Sequence, residues 1–284
     1  MRKDVVWVTG GGGLIGNYLV QTATRFAPDL IVIGLRREDL ELLDFAAVMR
    51  RFRHDNPGAI IHCAALSRSP DCQADPGLAN KLNVELTSFL AELAAEISLV
   101  FFSSDLVFDG GQGNYDEHAP ANPLSIYAQT KLAAEKIVMA NPNHTVVRTS
   151  LNGGRSRTGD RGFNEQLRKA WEAGKTLTLF TDEFRCPIPA IVTARAVWEL
   201  VQRNRTGLYH LAGAERLSRW QIGQLLAARS HDLNPKIVPG SAADYSGAPR
   251  SLDTSLNCTK IQQVLSFRLP GLTEWLDANP QDEF

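Results

Sequence analysis

The fold of this 284-residue chain is decided by a stretch near its start, Val5-Val6-Trp7-Val8-Thr9-Gly10-Gly11-Gly12-Gly13-Leu14-Ile15-Gly16. Its first five residues are typical of a buried strand, and apolar residues at helical spacing follow the glycines. Glycines between a strand and a helix let the backbone approach a pyrophosphate, which the free N–H groups of the helix N-terminus can bind. A loop that only shapes a turn is the alternative, but its position after a first strand favours a dinucleotide site. The predicted cofactor-binding residues here are Gly10, Gly13, Leu14, Ile15 and Gly16.

The rest of the first half alternates short apolar runs with longer helical patterns. Further strands are predicted at 30–33, 59–62, 99–103 and 145–149, and helices at 44–54, 76–96 and 122–140. Asp44 is the expected cap of the first of these helices, and Asn122-Pro123 opens the last. Such alternation predicts right-handed crossovers and a parallel sheet covered by helices on both faces. The predicted fold class is α/β, with a doubly wound Rossmann domain over residues 1–150.

Residues 151–284 are predicted to form a small substrate-binding lobe. The stretch 153–162 is rich in glycine and arginine and is interpreted as a mobile loop over a site, with Arg155, Arg157 and Arg161 solvated. A helix at 189–203 and a strand at 208–211 should return to the Rossmann sheet, so the segment at about 189–213 contributes to it. The remaining predicted elements are a helix at 163–174, a strand at 176–180, a helix capped by Ser218, a loop at 235–251 and a last helix from about residue 254.

Composition excludes several classes of partner. A net charge of −1 and a pI near 6.6 give no electrostatic reason to expect nucleic acid or an anionic membrane. The four cysteines form no C-x-x-C pair and the six histidines show no zinc-binding spacing, so reduced thiols and no metal are expected. The apolar run after residues 1–3 is too short for a signal peptide, and none reaches the length of a membrane span. We therefore expect a cytoplasmic protein.

The choice of cofactor depends on the end of the second predicted strand. An NAD site usually has an acidic residue about 20 positions after the last glycine, on the ribose 2′-hydroxyl. Here Arg36 and Arg37 occupy that place, and no acid comes before Glu38. Two guanidinium groups can neutralise a 2′-phosphate, whereas the alternative is a pair of surface arginines. NADP is the predicted cofactor, and NAD stays open.

Tyr127 and Lys131 lie four residues apart, on one face of a predicted helix. Reduction of a carbonyl needs a proton for the developing alkoxide, and a free tyrosine with a pKa near 10 is a poor donor. A lysine charge about 5 Å away supplies about 3 kcal/mol of the roughly 4 kcal/mol that would lower this pKa to about 7. Ser104 follows the predicted strand 99–103 and could hold the substrate oxygen beside the phenol.

These motifs together resemble the extended short-chain dehydrogenase/reductase superfamily, and within it the dTDP-4-dehydrorhamnose reductase family. The likeness covers nearly the whole chain. Besides the glycine turn, it rests on His62-Cys63-Ala64-Ala65, Asn83-Val84-Glu85, Ser103-Ser104-Asp105-Leu106-Val107-Phe108-Asp109-Gly110, Pro123-Leu124-Ser125-Ile126-Tyr127 with Lys131, Arg148-Thr149-Ser150 and Gly207-Leu208-Tyr209-His210-Leu211-Ala212-Gly213.

The resemblance implies a nucleotide-sugar ketone reduced at C4 by NADPH or NADH. The family's Ser/Thr–Tyr–Lys triad matches Ser104, Tyr127 and Lys131, and the lysine also belongs to the cofactor site. Asp105 matches the aspartate after the Ser/Thr and is counted with the catalytic residues. Ala64 and Ala65 match the loop that lines the cofactor. A homodimer stays open.

Three stretches depart from the family pattern where the substrate should lie. Leu106 replaces a tyrosine, Ser69-Pro70 replaces a valine-aspartate pair, and the second-lobe motif reads Asp182-Glu183-Phe184-Arg185-Cys186-Pro187-Ile188. The reductase chemistry is therefore better defined than the sugar. Arg185 and Arg250 are candidates for the substrate diphosphate, since guanidinium forks suit phosphate oxygens, with solvated surface arginines as the alternative.

Two other functions stay open. Leu106 disfavours a sugar 4,6-dehydratase, which resembles this chain but has an Asp-Glu pair at that place. An epimerase with tightly bound NAD would use the same tyrosine and lysine. A non-catalytic regulatory subunit is the third interpretation, because the regulatory subunit of methionine adenosyltransferase resembles the same reductase family.

Overall fold

A parallel sheet of six strands forms the centre of the molecule in the computed structural model, which describes residues 4–247, 249–282 and 284. Residues 1–3, weighed above as part of a signal peptide, lie outside the described residues. The strands are, in chain order, β1 (Val5–Thr9), β2 (Ile31–Leu35), β3 (Ala59–His62), β4 (Ser98–Ser104), β5 (Thr145–Thr149), β6 (Asn152–Gly153), β7 (Thr176–Phe180), β8 (Phe184–Arg185), β9 (Ile188–Pro189), β10 (Gly207–Leu211), β11 (Leu217–Ser218) and β12 (Lys236–Gly240).

The helices cover both faces of this sheet and build the C-terminal lobe. They are, in chain order, α1 (Leu14–Phe26), α2 (Phe45–Asp55), α3 (Ser69–Ala74), α4 (Pro76–Asn80), α5 (Leu86–Leu93), α6 (Ile126–Met139), α7 (Phe163–Glu172), α8 (Ala190–Gln202), α9 (Arg219–Ala227), α10 (Thr259–Gln262) and α11 (Leu272–Ala278). No helix in the described part of the chain is long and apolar enough to cross a membrane.

The central sheet has the order β2-β1-β3-β4-β5-β10, with every neighbouring pair parallel. This confirms the predicted α/β fold with a doubly wound parallel sheet. β1, β3 and β5 have the predicted bounds, whereas β2 and β4 each end one or two residues later than predicted. β10 pairs with β5, so the segment around 189–213 contributes its strand to the main sheet.

Separate apolar layers cover the two faces of the sheet. On one face α1 and α8 pack together, with Leu19 and Trp198 fully buried between them and the sheet. On the other face Trp7 and Phe101 project from the sheet into a layer with α2, α5 and α6. The lobe has its own core, which includes Trp171 of α7 and Trp275 of α11.

Several predicted boundaries were wrong. The helix predicted at 122–140 begins only at Ile126, because Ser125 accepts a hydrogen bond from the Ala128 amide, whereas the side chain of Asn122 donates to Asp109. The predicted helix 76–96 ends at Leu93 and contains a π turn at Lys81–Glu85, between α4 and α5. The predicted loop 235–251 contains β12, and α10 begins five residues later than expected.

Candidate active site

A crevice opens where the sheet order reverses. The chain leaves β1 toward β2 on one side and later enters β3 on the other, so the loops after β1 and β3 diverge at their carboxyl ends. Gly10, which has a φ of +67°, lies directly against the loop after β3. A Cβ atom at this position would stand 2.7 Å from the amide nitrogen of Ala64. Only glycine therefore fits where these loops meet, and Ala65 lies half-buried on the same loop.

The start of α1 fits an anion. Gly13 is its N-cap, no side chain of the described residues caps it, and its first turn contains no acidic residue. The first amides of a helix lack intrahelical acceptors, so those of Leu14, Ile15 and Gly16 are available to a phosphate. A Cβ at Gly16 would stand 2.3 Å from the carbonyl oxygen of Gly10, so glycine is needed for the turn to fold onto the helix. These predicted residues suit the pyrophosphate of a dinucleotide.

The two predicted 2′-phosphate residues differ in position. Arg36 follows β2 and lies beside the glycine turn, since a Cβ at Gly12 would stand 3.8 Å from its Cγ. Its guanidinium pairs with Asp39 at 2.7 Å and lies 3.6 Å from Glu38. Arg37 instead extends into solvent, with 91% of its side chain exposed, and lies 3.4 Å from Glu41. The structure thus brings Arg36 to the crevice but not Arg37.

The three residues of the predicted triad come from β4 and α6. Ser104 is the last residue of β4, and Tyr127 and Lys131 lie one turn apart on α6. The hydroxyl of Ser104 lies close enough to the phenol of Tyr127 to influence its pKa, and it accepts a hydrogen bond from the amide of Leu106. Ser104 and Tyr127 therefore lie near each other at the carboxyl end of the sheet.

Burial sets the protonation of Tyr127. It raises the pKa of the phenol well above its ordinary value, the carboxylate of Asp105 raises it further, and the nearby hydroxyl of Ser104 partly opposes both. The prediction that Lys131 lowers this pKa toward 7 is therefore not supported. Tyr127 is a neutral phenol over the whole physiological range of pH.

Lys131 lies almost fully buried beneath the loop after β3, which carries Ala64 and Ala65 and is called here the cofactor loop. Burial lowers its pKa to about 7, although the carboxylate of Glu135 opposes this shift. Its ammonium group lies 4.0 Å from the centre of the Phe101 ring. The same charge adds to the effect of burial in lowering the pKa of His62 to about 3, which places Lys131 close to the end of β3. Lys131 thus connects the helix of Tyr127 to the loop that faces the glycine turn.

Asp105, which the sequence places with the catalytic residues, lies in a network of hydrogen bonds. Its carboxylate is buried and accepts hydrogen bonds from Ser150 at 2.7 Å, from Thr254 at 3.0 Å and from Ser104 at 3.1 Å. Nε of Arg185 lies 3.8 Å away. The oxygens of Asp105 are therefore occupied, and they orient Ser104 while joining β4 to the lobe.

The two predicted diphosphate ligands are engaged inside the lobe. Arg185 is 3% exposed and donates to the carbonyl oxygens of Phe184 and Ser251. It also lies 3.1 Å from the carboxylate of Glu183. Because Arg185 is buried, its guanidinium satisfies backbone carbonyls that have no access to solvent. Arg250 is one-third exposed and pairs with Glu183 as well, so its guanidinium already has an acidic partner.

Asn83 is a site residue to which sequence reasoning gave no role. It is buried in the π turn, where its Oδ1 accepts from the amide of Leu66 and its Nδ2 donates to the carbonyl of Leu66 and to Oγ1 of Thr130. Thr130 in turn donates to the carbonyl of Tyr127. Asn83 therefore ties the cofactor loop to the helix of the triad. Its signals in the sequence were a polar residue inside a predicted helix and its place in the Asn83-Val84-Glu85 motif of the resemblance, neither of which gave its partners.

Glu183 was also missed. It is fully buried at the centre of three arginines, Arg185, Arg219 and Arg250. Burial alone would raise the pKa of its carboxyl group, but the arginines together lower it to about 2. Nothing in the local sequence distinguishes this glutamate from a surface residue. Among the described residues, no group of three or more His, Cys, Asp or Glu side chains could hold a metal ion.

Comparison with known proteins identifies the family. The family model described as RmlD substrate binding domain matches residues 3–280. The dTDP-4-dehydrorhamnose reductase of Sinorhizobium fredii is 29% identical over 282 residues, which cover 94% of this chain and 93% of that protein. Methionine adenosyltransferase 2 subunit beta of Xenopus laevis is 28% identical over 271 residues, or 90% of this chain and 81% of that protein.

Solved structures share the fold over nearly the whole chain. A hypothetical dTDP-4-dehydrorhamnose reductase from Sulfolobus tokodaii has a TM-score of 0.82 at 27% identity and covers 96% of this chain and 97% of its own. The dTDP-4-dehydrorhamnose reductase of Bacillus anthracis, solved in complex with NADP, has a TM-score of 0.87 at 21% identity and covers 98% of each chain, which shows the fold alone. With a family model matching from residue 3 to residue 280, the chain belongs to the RmlD substrate-binding-domain family.

Proposed function

We propose that this protein is an NADPH-dependent reductase of a ketone on a nucleotide-activated sugar, of the dTDP-4-dehydrorhamnose type. The observation that carries the proposal is the placement of Ser104 at the end of β4 near Tyr127, with Lys131 one turn further along α6 and buried under the cofactor loop. This constellation lies at the carboxyl end of the sheet, where the phosphate-binding turn also opens. Family membership and the reductases among the relatives support it.

The described residues fit a dinucleotide. The amides at the start of α1 would hold its pyrophosphate, Ala64 and Ala65 would line it, and Arg36 would lie near its adenosine ribose. When bound, NADPH supplies the hydride that reduces the carbonyl carbon. NAD remains an alternative cofactor, which direct binding measurements decide.

The chain's own residues supply the proton. The hydroxyl of Ser104 would hold the substrate carbonyl oxygen beside Tyr127. As negative charge develops on that oxygen, the phenol donates its proton to it. The raised pKa of Tyr127 suits this direction of reaction, because it keeps the phenol protonated until an alkoxide, which is a stronger base, forms. Asp105 orients Ser104, and the amine of Lys131 holds the cofactor side of the site.

Replacement of Tyr127 by phenylalanine tests this mechanism. With NADPH and dTDP-4-dehydrorhamnose, Tyr127→Phe should turn over at least about 100-fold more slowly, because a positioned proton donor contributes that much, while its Kd for NADPH stays unchanged. Tyr209→Phe removes a hydroxyl from β10, at the far edge of the sheet, and should keep wild-type turnover. Near-wild-type turnover of Tyr127→Phe would eliminate the mechanism. A wild-type chain that converts the sugar without net consumption of NADPH would be an epimerase.

A second candidate is a dinucleotide-binding regulatory subunit. Two observations favour it: the similarity to methionine adenosyltransferase 2 subunit beta over 90% of this chain, and the engagement of Arg185 and Arg250 by Glu183. Size-exclusion chromatography with a methionine adenosyltransferase catalytic subunit separates the two functions. Co-elution, together with no turnover of any sugar ketone, would replace the reductase proposal. Turnover without co-elution would exclude the regulatory function.

A further inference from the structure

Residues 154–162, called here the arginine loop, cross from the lobe to the start of α1. The amide of Arg155 donates to the hydroxyl of Tyr18 at 3.2 Å, and a Cβ at Gly154 would stand 2.8 Å from that same ring. At the other end of the loop, a Cβ at Gly162 would stand 3.4 Å from Leu14. The arginine loop therefore lies along the helix whose first amides fit a pyrophosphate.

A buried glutamate gives the arginine loop a defined shape. Glu165, on the first turn of α7, is 6% exposed and accepts hydrogen bonds from the amides of Ser156, Arg161 and Gly162. The hydroxyl of Ser156, which is also buried, donates to the same carboxylate. Because these bonds hold the backbone on both sides of it, Arg157 leaves the loop at a fixed point.

The side chain of Arg157 reaches across to the end of β2. Its guanidinium donates a hydrogen bond to Glu38, and the same carboxylate oxygen lies 3.6 Å from Arg36. The Glu38 carboxylate thus lies between two arginines that come from opposite sides of the crevice. The hydrogen bond from Arg157 lowers the pKa of Glu38, so this group is an anion at neutral pH. In a doubly wound fold, the 2′ position of the adenosine ribose lies at this end of β2.

We propose that Arg157 is a specificity-determining residue that recognises the 2′-phosphate of NADP(H), with Glu38 occupying its guanidinium when that phosphate is absent. The phosphate would take the place of the carboxylate between Arg36 and Arg157. This assigns Arg157 a ligand in place of the solvated role expected from the sequence. The inference rests on the dinucleotide binding of the proposed function and on no part of its sugar chemistry.

Substitutions of Arg157 and Glu38 should have opposite effects on the affinity for NADPH. Loss of Arg157 removes a charge-assisted hydrogen bond to phosphate, which corresponds to a loss of about tenfold or more in affinity. Loss of the Glu38 charge frees Arg157 and removes an anion that would repel the phosphate, so it should tighten binding several-fold. Neither change should alter the binding of a dinucleotide that has only a 2′-hydroxyl.

The test is a set of calorimetric titrations with NADPH, NADH, 2′,5′-ADP and 5′-AMP. Arg157→Gln should weaken NADPH and 2′,5′-ADP by about tenfold or more and leave NADH and 5′-AMP within about twofold. Glu38→Gln should tighten NADPH and leave NADH unchanged. Arg155→Gln is the matched control, because it removes an exposed charge from the same loop, and it should change none of the four by more than about twofold.

Three results would overturn the inference. One is an Arg157→Gln variant that binds NADPH as the wild type does, or that loses NADPH and NADH equally. Another is a Glu38→Gln variant that loses affinity for NADH, since Glu38 would then hold the ribose hydroxyl. The third is an Arg155→Gln variant that loses as much affinity for NADPH as Arg157→Gln does. That result would mean that the overall positive charge of the arginine loop, and not Arg157 itself, attracts the phosphate. If Tyr127→Phe is inactive, the reductase proposal is unaffected by any of these three results. A wild-type chain that binds neither NADPH nor NADH would contradict both the reductase proposal and the role of Arg157.

Discussion

Burial decides the charge of the two residues on α6 that the reaction would use. Tyr127 stays protonated because its surroundings disfavour a phenolate, and Lys131 has a pKa of about 7 because its amine is enclosed by protein. The sequence predicted both residues, since their spacing on one helix face is a local property. It did not predict their protonation, which depends on groups such as Phe101 and Asp105 that arrive from another strand and its following turn.

Replacement of Lys131 by methionine should stabilise the cofactor-free protein in a pH-dependent way. Between pH 7 and 10.5 the folded chain binds fewer protons than the unfolded chain, so the destabilisation from Lys131 is full below pH 7 and declines as the pH rises to 10.5. In chemical denaturation, Lys131→Met should gain up to several kcal/mol of unfolding free energy at pH 6 and clearly less at pH 9. Lys136→Met, at an exposed position on the same helix, should show no such gain. An equal gain at both pH values would contradict the assigned pKa.

At the scale of elements, side chains outside a periodic pattern decide where helices bend and begin. The apolar spacing predicted a helix over 76–96, but the π turn arises around Asn83, whose side chain binds a loop 17 residues away. α6 likewise begins where Ser125 caps it. Ser125 and Asn122 are both suitable caps by residue type, and the sequence does not show that the side chain of Asn122 is used in a hydrogen bond to Asp109. β12 was missed because its partner, β7, lies far earlier in the chain.

Asn83→Ala should weaken both the fold and the cofactor site. It leaves the amide of Leu66 without its partner, removes one of two hydrogen bonds to the Leu66 carbonyl, which keeps that from the Cys72 thiol, and cuts the connection to Thr130. We therefore expect a loss of about 1–3 kcal/mol in unfolding free energy. NADPH affinity should also fall, because the loop carrying Ala64 and Ala65 loses its support. Asn80→Ala, three residues earlier and exposed, removes one hydrogen bond to Glu85 and should change either quantity little. Equal behaviour of the two variants in denaturation and titration would refute the role of Asn83.

For the whole molecule, buried charge networks join the lobe to itself and to the sheet. Glu183 connects β8, α9 and the segment after β12 through Arg185, Arg219 and Arg250, and Asp105 connects β4 to Ser150 and Thr254. For this reason the guanidinium of Arg185 already has partners inside the lobe, and its diphosphate role stays a prediction. Composition and motifs predicted the Rossmann sheet well. They carry no information about ion pairs whose two partners are separated by 36 or 67 positions in the chain, as Glu183 is from Arg219 and Arg250.

Glu183→Gln should destabilise the protein and flatten its response to acid. The pKa of Glu183 is lowered from an ordinary 4.5 to about 2, so its contribution is complete above pH 4.5 and is lost as the pH falls toward 2. Leaving Arg185, Arg219 and the partly exposed Arg250 without this carboxylate should cost about 3–5 kcal/mol at pH 7, measured by denaturant unfolding. Glu172→Gln, which removes only an exposed pair with Arg168, should lose less than about 1 kcal/mol. If the two variants unfold at the same denaturant concentration, the Glu183 network does not support the lobe.

The most direct test of the reductase proposal follows the hydride itself. The protein is incubated with dTDP-4-dehydrorhamnose and NADPH that carries deuterium at both C4 hydrogens of the nicotinamide, and the sugar product is examined by NMR. We expect one deuterium on C4 of the sugar with the wild-type chain, and almost none over the same time with Tyr127→Phe. Intact deuterated cofactor and an unchanged sugar, in the presence of bound NADPH, would contradict the account.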